Sequence, residues 1–384
     1  MRRYIQEMKN FLRRGDLVLL FLCLLTSAYG CMIIASATNP VGNTRYLIVQ
    51  IAAVVLGVMS YVLMSSVDVD FLSEHRRTLV VFNTIFLLML IPFGTDNGSG
   101  NRSWLDFPLL PVDIQPAEIC KITYIVVMAS VMSSHQNRIS SVPSVFHMAF
   151  HLIFLVGLNI GLSGDAGVSL IFVFIFIGMA FAGGVNLIWF LLGGGVIAAA
   201  APIIWTQFMA DYQKNRILVL FDPSIDPQGL DVRWHSRQSL LSLTGGGLTG
   251  QGLFNGNRTQ TDSLYAQHTD YIFSAIGEEL GFVGCMIAIL LLLAIIARCI
   301  YVGIRSQEYM RRVVCFGAAA ALIFQVCSNI GMCLGVTPVI GLTLPLISYG
   351  GSSTVSLYAM LGLVSGVFAR PAADSHERYI QPPR

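Results

Sequence analysis

His268-Thr269-Asp270-Tyr271-Ile272-Phe273-Ser274-Ala275-Ile276-Gly277-Glu278-Glu279-Leu280-Gly281 is the stretch on which the reading of this chain turns. It closes a long hydrophilic segment, about Gln207 to His268, and opens an apolar run, which puts Asp270 where membrane meets water. Ionisable side chains at membrane depth are expensive to keep, and by default they mark functional sites. Asp270 therefore reads as the edge of a reaction site. Glu278 and Glu279 lie inside the apolar run, where at least one of them must face protein or water.

Working outward, composition sets the class. Of the 384 residues 55% are hydrophobic and 11% charged, with a mean hydropathy of +0.70, far outside the soluble globular range. Apolar runs fall near 17–37, 46–65, 78–93, 117–134, 144–162, 166–183, 186–206, 271–302, 312–334 and 341–369, about the length of ~20 residues that a membrane helix needs. The expectation is one all-α polytopic membrane domain of about ten transmembrane helices, with the polar segment 207–270 before the eighth. No cleavage site follows the first run convincingly, so it reads as a retained helix. The eight cysteines lie in or beside apolar runs without CxxC spacing and give neither a disulfide framework nor a zinc site. A net charge of +2 argues against nucleic acid. A GxxxxGK[ST] loop is absent from the sequence.

Short cytoplasmic links carry an excess of Lys and Arg. The amino terminus (1–16, with Arg2, Arg3, Lys9, Arg13 and Arg14), His75-Arg76-Arg77, Gln136-Asn137-Arg138, Arg305 to Arg312 and the tail 370–384 (Arg370, Arg378, Arg384) are the basic segments, and ten spans put them all on one side. The opposite, extracytoplasmic side receives Asn39 to Arg45, Gly94 to Gln115, Gly164-Asp165 and the long polar segment.

Four polar constellations gather on that outer side. Gly98-Ser99-Gly100-Asn101-Arg102-Ser103-Trp104-Leu105-Asp106 carries a guanidinium suited to bidentate phosphate contacts beside an interfacial indole; a plain aromatic-belt loop reads equally well. Gln115-Pro116-Ala117-Glu118-Ile119-Cys120-Lys121 opens the fourth helix with Glu118 and Lys121 on one face. Lys121, one of three lysines in the chain, needs a partner at that depth, with Asp165 as a second carboxylate; a helix-to-helix salt bridge is the alternative reading. The polar segment offers Arg216, Asp222, Asp226, Asp231, Arg233, Trp234, His235, Arg237 and Gln238 before Gly245-Gly246-Gly247 and Gly250-Gln251-Gly252, a mixture that suits a phosphorylated or sugar-bearing ligand and equally an ordinary solvated loop. Finally, Asn329-Ile330-Gly331-Met332 leads through Gly335-Val336-Thr337-Pro338 to Pro345-Leu346-Ile347-Ser348-Tyr349-Gly350-Gly351-Ser352-Ser353. Broken backbone at membrane depth is tolerated only where it is buried or lines a cavity, in a carrier as in an enzyme.

The segment Asn329 to Ser353 resembles the signature of the SEDS family, the RodA, FtsW and SpoVE group, with the RodA branch the nearer in general character. Arg102-Ser103-Trp104, Gln115-Pro116-Ala117-Glu118 with Lys121, Asp165-Ala166-Gly167, and His268-Thr269-Asp270 with Gly277-Glu278-Glu279-Leu280-Gly281 resemble that family's other motifs in the same order. The resemblance implies a peptidoglycan glycosyltransferase of the bacterial cytoplasmic membrane, in cell-shape maintenance or division. Such an enzyme polymerises lipid II on the outer face with a class B penicillin-binding protein as partner. It assigns Asp270 as the essential aspartate, Trp104 as a functional tryptophan, and Glu118, Lys121 and Asp165 to a polar central cavity.

A sugar hydroxyl is a weak nucleophile, so Asp270 is the candidate general base, with inversion at the donor carbon. Arg102, Lys121 and Arg216 are the cations for the leaving diphosphate, and Gln115, His268, Thr269 and Ser348 complete the substrate-binding set. No cofactor is required outright; a divalent cation (Mg or Mn) held by Asp270 fits the same position. Ala266-Gln267 stands where the family has Pro-Glu, Ala117 where it has serine, and His235 where glutamine is common. A lipid II flippase, an ion-coupled carrier and a scaffold for a cell-wall synthase are the competing readings.

Overall fold

The structure, a computed structural model, describes residues 14–42, 44–96, 101–106, 113–226, 233–261, 263–264 and 266–370. Arg2, Arg3, Lys9, Arg13, Gly98 to Gly100, Asp231, Arg378 and Arg384 lie outside the described residues.

Apolar runs without periodic polar faces become helices because only a helix satisfies its own backbone in lipid. They are α1 (Leu17–Ala37), α2 (Arg45–Ser66), the short α3 (Val69–Glu74), α4 (Arg76–Leu88) extended by α5 (Leu90–Phe93), α6 (Pro116–Ser134), α7 (Val142–Ser163), α8 (Ala166–Ala182), α9 (Leu187–Ile203), α10 (Asp211–Leu218), α11 (Trp234–Gly245), α12 (Ile272–Arg305), α13 (Tyr309–Cys333) and α14 (Gly351–Ala369). Among the described residues nine helices are long and apolar enough to cross a membrane, and α8 is a shorter apolar tenth.

Two expectations change in detail. The last run is helical only from Gly351; residues 341–350 are irregular, since Pro345 cannot donate to a helix and Gly341 (φ +72°) and Leu346 (φ +62°) take left-handed backbone. The polar segment from Gln207 is not a plain loop, for it contains α10 and α11.

The tightest packing joins α2 to α14, where a Cβ on Gly57 would stand 2.6 Å from the Tyr358 ring and one on Gly362 2.5 Å from the Tyr61 carbonyl. Small residues give lipid-embedded helices this close approach. By contrast α9 is held at its start, by Trp189 donating to the Ser140 carbonyl at 2.8 Å, and Leu191 to Ala199 are all exposed. The basic links come together at one end. There Arg311 pairs with Asp70 at 2.5 Å and donates to the Arg370 carbonyl at 2.8 Å, Arg370 donates to Val67, and Arg298 grips the buried Asp16 at 2.8 Å. The candidate site lies at the other end.

Candidate active site

Asp270 ends the turn that leads into α12. Two side chains fix the backbone of this turn, and a third holds the segment that lies across it. Asn329 of α13 donates from Nδ2 to the Asp270 carbonyl and to the Leu342 carbonyl, both at 2.7 Å. Ser348 donates to the Thr269 carbonyl at 2.6 Å while accepting from the Leu344 amide at 2.8 Å. Gln50 accepts from Gly350 at 3.1 Å and donates to Thr354 at 3.1 Å. The broken 341–350 segment is therefore a clamp across the 268–270 turn, and its helix breakers free the amides and carbonyls that form it.

The Asp270 carboxylate is treated differently. It is half-buried, lies against Gly341, and receives no hydrogen bond from a described residue. Burial first, and the nearby Asp165 second, push its pKa up to about 6. Asp165 is also raised, chiefly by burial. As N-cap of α8 it accepts from the Val168 amide at 3.0 Å, and Ser103 donates to its other oxygen at 3.4 Å. A narrow crevice lined by Ser103, Gln115, Ala117, Asn159 and Asp165 continues from it into the bundle.

Glu118 and Lys121 meet as the i,i+3 spacing requires, at 2.8 Å with Lys121 only 2% exposed. Ser356 and Ser353 of α14 donate to the same Glu118 oxygen at 3.0 and 3.4 Å. Asp165 does not join the pair directly; its charge acts on Asp270, and that of Glu118 acts on it.

His268 packs beside Tyr46 and Tyr349, with ring centroids 4.8 and 5.6 Å away, and these two tyrosines meet edge-on at 5.2 Å. Arg216 reaches the Val339 carbonyl at 3.4 Å from the rim. Arg102 bends back to the Gly94 carbonyl, at 3.1 Å, within the small hairpin Gly94–Thr95 and Trp104–Leu105 that carries Trp104.

Glu278 and Glu279 answer to a structural need. Glu278 accepts from the Arg258 amide, the Thr259 amide and the Thr259 hydroxyl at 2.9, 2.9 and 2.7 Å, and Glu279 accepts from Ser36 and Gln260 at 2.7 and 2.9 Å. Beside them α12 is broken at Gly281 (φ 65°, ψ −162°). The glycine-rich segment docks on the break: Gln251 and Gly252 donate to the carbonyls of Glu278 and Glu279, and Phe282 and Val283 to those of Gly247 and Leu248. A Cβ on Gly246 would stand 1.8 Å from the Gly277 carbonyl. Gly246 and Gly250 thus serve backbone approach.

The departures from the motif pattern have local causes. Ala266 sits at φ +48°, which proline cannot adopt. Gln267 is buried and donates to the carbonyls of Ala37 and Thr259 at 2.7 and 3.1 Å, a task closed to a carboxylate. Tyr46, Tyr349, Asn329, Gln50, Ser353 and Ser356 are the site residues that sequence reasoning left unassigned. Asn329 and Tyr349 lay inside a quoted motif, but only tertiary contact distinguishes them.

Fold and site together define a multi-pass helical membrane protein that presents a carboxylate, in an irregular backbone setting, at one end of its bundle. The chain belongs to the FtsW/RodA/SpoVE family, described as cell cycle proteins, whose profile matches residues 16–371. It is 33% identical over 357 residues to the peptidoglycan glycosyltransferase MrdB of Escherichia coli K12, covering 92% of this chain and 93% of MrdB. RodA of Thermus thermophilus has a similar solved structure, with a TM-score of 0.69 and 27% identity over 94% of this chain and 98% of that one. A chain from a structure of a peptidoglycan synthase complex that coordinates polymerization and crosslinking reaches a TM-score of 0.78 with 29% identity, covering 94% of this chain and 99% of that one.

Proposed function

We propose that Asp270 is the group on which catalysis turns in this chain, a peptidoglycan glycosyltransferase. The observation that carries this reading is a half-buried carboxylate with no hydrogen-bond donor among the described residues, on a rigidly clamped turn and with its pKa raised to about 6. A base with a pKa near working pH combines a populated basic form with useful proton affinity. Asp270 takes the proton of the acceptor sugar hydroxyl as it attacks the donor anomeric carbon of lipid II. The bond to the diphosphate-lipid breaks with inversion. His268, Tyr46 and Tyr349 offer ring faces for a sugar beside the base. Arg216 at the rim supplies positive charge for the diphosphate. Lys121, tied to Glu118, holds α6 to α14 and lends its charge from below.

Among the described residues no group of three or more His, Cys, Asp or Glu side chains could hold a metal. Mg²⁺ needs only one or two carboxylates when substrate phosphates complete its shell. Asp270 would hold such an ion, and the ion would neutralise the leaving diphosphate. The site faces the outside of the bacterial cytoplasmic membrane, with the basic end cytoplasmic, and a class B penicillin-binding protein is the partner that crosslinks the product. The decisive experiment is polymerisation of purified lipid II by this protein with that partner, comparing wild type with Asp270→Asn. Polymer from the wild type alone, with both folded, supports the reading. Polymer from both removes Asp270 from the chemistry, and polymer from neither turns attention to lipid II translocation in liposomes.

A further inference from the structure

At the end of the bundle opposite Asp270, Arg76 and Arg77 open α4 on a cleft of about 520 Å³ that also takes in His75, Thr78 and Ser130. Arg76 is half-buried and Arg77 exposed, and neither forms an ion pair with a described residue. The one carboxylate of the cleft, Glu74, is exposed and pairs with neither arginine. Two cations in the first turn of a helix oppose its dipole, and α4 has no acidic residue there and no capping side chain. The charge has been assembled without its counter-charge.

Imidazoles extend the patch. His135, after α6, meets His147 of α7 at 5.2 Å between ring centroids, and His147 meets His151 at 5.2 Å. Arg76 lies within electrostatic reach of His147 and His151. These rings do not form a group able to hold a metal. Nδ1 of His135 donates to the Val131 carbonyl at 2.9 Å and that of His75 to the Phe71 carbonyl at 3.0 Å, so the outer nitrogen of each ring donates to an anion only in the protonated imidazolium. Directly beside the row the surface turns apolar and outward: Phe146 is 66% exposed and Phe150 63%, and Phe150 touches His151 at 6.0 Å. A soluble anion has no use for such a flank, whereas a lipid has its headgroup and acyl chains in this order.

We propose that this cleft binds the phosphate headgroup of an anionic phospholipid through Arg76 and Arg77, beside the histidine row, with the acyl chains lying along Phe146 and Phe150. The site holds a structural or regulatory lipid, separate from the reacting lipid at the other end.

Native mass spectrometry tests it on the full-length protein in neutral detergent, titrated with phosphatidylglycerol, phosphatidylcholine or inorganic phosphate. Wild type should retain one phosphatidylglycerol in preference to phosphatidylcholine. Arg76→Gln with Arg77→Gln should weaken that retention by about thirtyfold, the expectation for two basic residues near an anionic membrane surface. Arg77→Gln alone, on an exposed side chain, should weaken it by several-fold, so the test stands if the double variant folds poorly. An unchanged lipid-free melting midpoint shows that the variants are folded. Equal retention by wild type and folded variants overturns the site. Equal retention of phosphatidylcholine overturns its charge basis, and displacement of the lipid by inorganic phosphate at equal concentration reassigns it to soluble phosphate.

Discussion

Asp270 and the pair Glu278-Glu279 stand eight residues apart in one motif, and the fold treats them in opposite ways. Glu278 and Glu279 are fully buried and together accept five hydrogen bonds, which staple residues 258–260 and Ser36 to α12. Asp270 is half open, its carboxylate accepts none from the described residues, and the clamping falls on its backbone instead. Glu278, which accepts on both oxygens, has its charge spent on structure, and Glu279 is bound through Oε1 alone; a carboxylate held by its main chain and left unsatisfied keeps its basicity for a ligand.

The largest separation should come from activity. Asp270→Asn should lower the polymerisation rate by about 10²–10⁴-fold while leaving the melting midpoint unchanged. Glu278→Ala should act the other way, removing three bonds from buried donors and costing about 3 kcal/mol or more, read as unfolding in detergent. A Glu278→Gln variant that keeps its stability yet makes no polymer would break the comparison. Gly281→Ala comes next, at about 1–3 kcal/mol, because its Cβ would stand 2.3 Å from the Gly250 amide nitrogen. Ser348→Ala should cost about 1 kcal/mol and lower kcat more than it raises KM, because the clamp positions the base.

The smallest effect is on pH. A base raised to about 6 is ionised above that value. Polymerisation should therefore fall as pH drops through about 6, and Asp165→Asn, which removes a like charge, should move this acid limb to lower pH. A limb that stays in place would separate Asp165 from the electrostatics of the site.

Much of this was legible in the residues. Apolar length gives the spans, and the arginine links predict a common end that the Arg311–Asp70 and Arg370–Val67 contacts bring together. The i,i+3 spacing gives Glu118–Lys121. What sequence leaves open is the identity of long-range partners. Glu279 meets Ser36 across 243 positions and Asn329 meets Asp270 across 59, and local spacing does not encode such pairs. For the same reason the glycine-rich segment reads equally as a ligand loop or a solvated one, although Gly246 and Gly250 are required by the carbonyls of α12. Arg102 carries the chemistry of a phosphate clamp, but the structure turns it to Gly94.

A helix interrupted at a glycine is ordinarily a place where motion is absorbed. In α12 the interruption is splinted, because four main-chain bonds tie residues 278–283 to 247–252. The joint is then a fixed bend and not a hinge, and the short piece of α12 before Gly281, which follows the turn of Asp270, is set in its direction by main-chain bonds as a welded elbow sets a pipe.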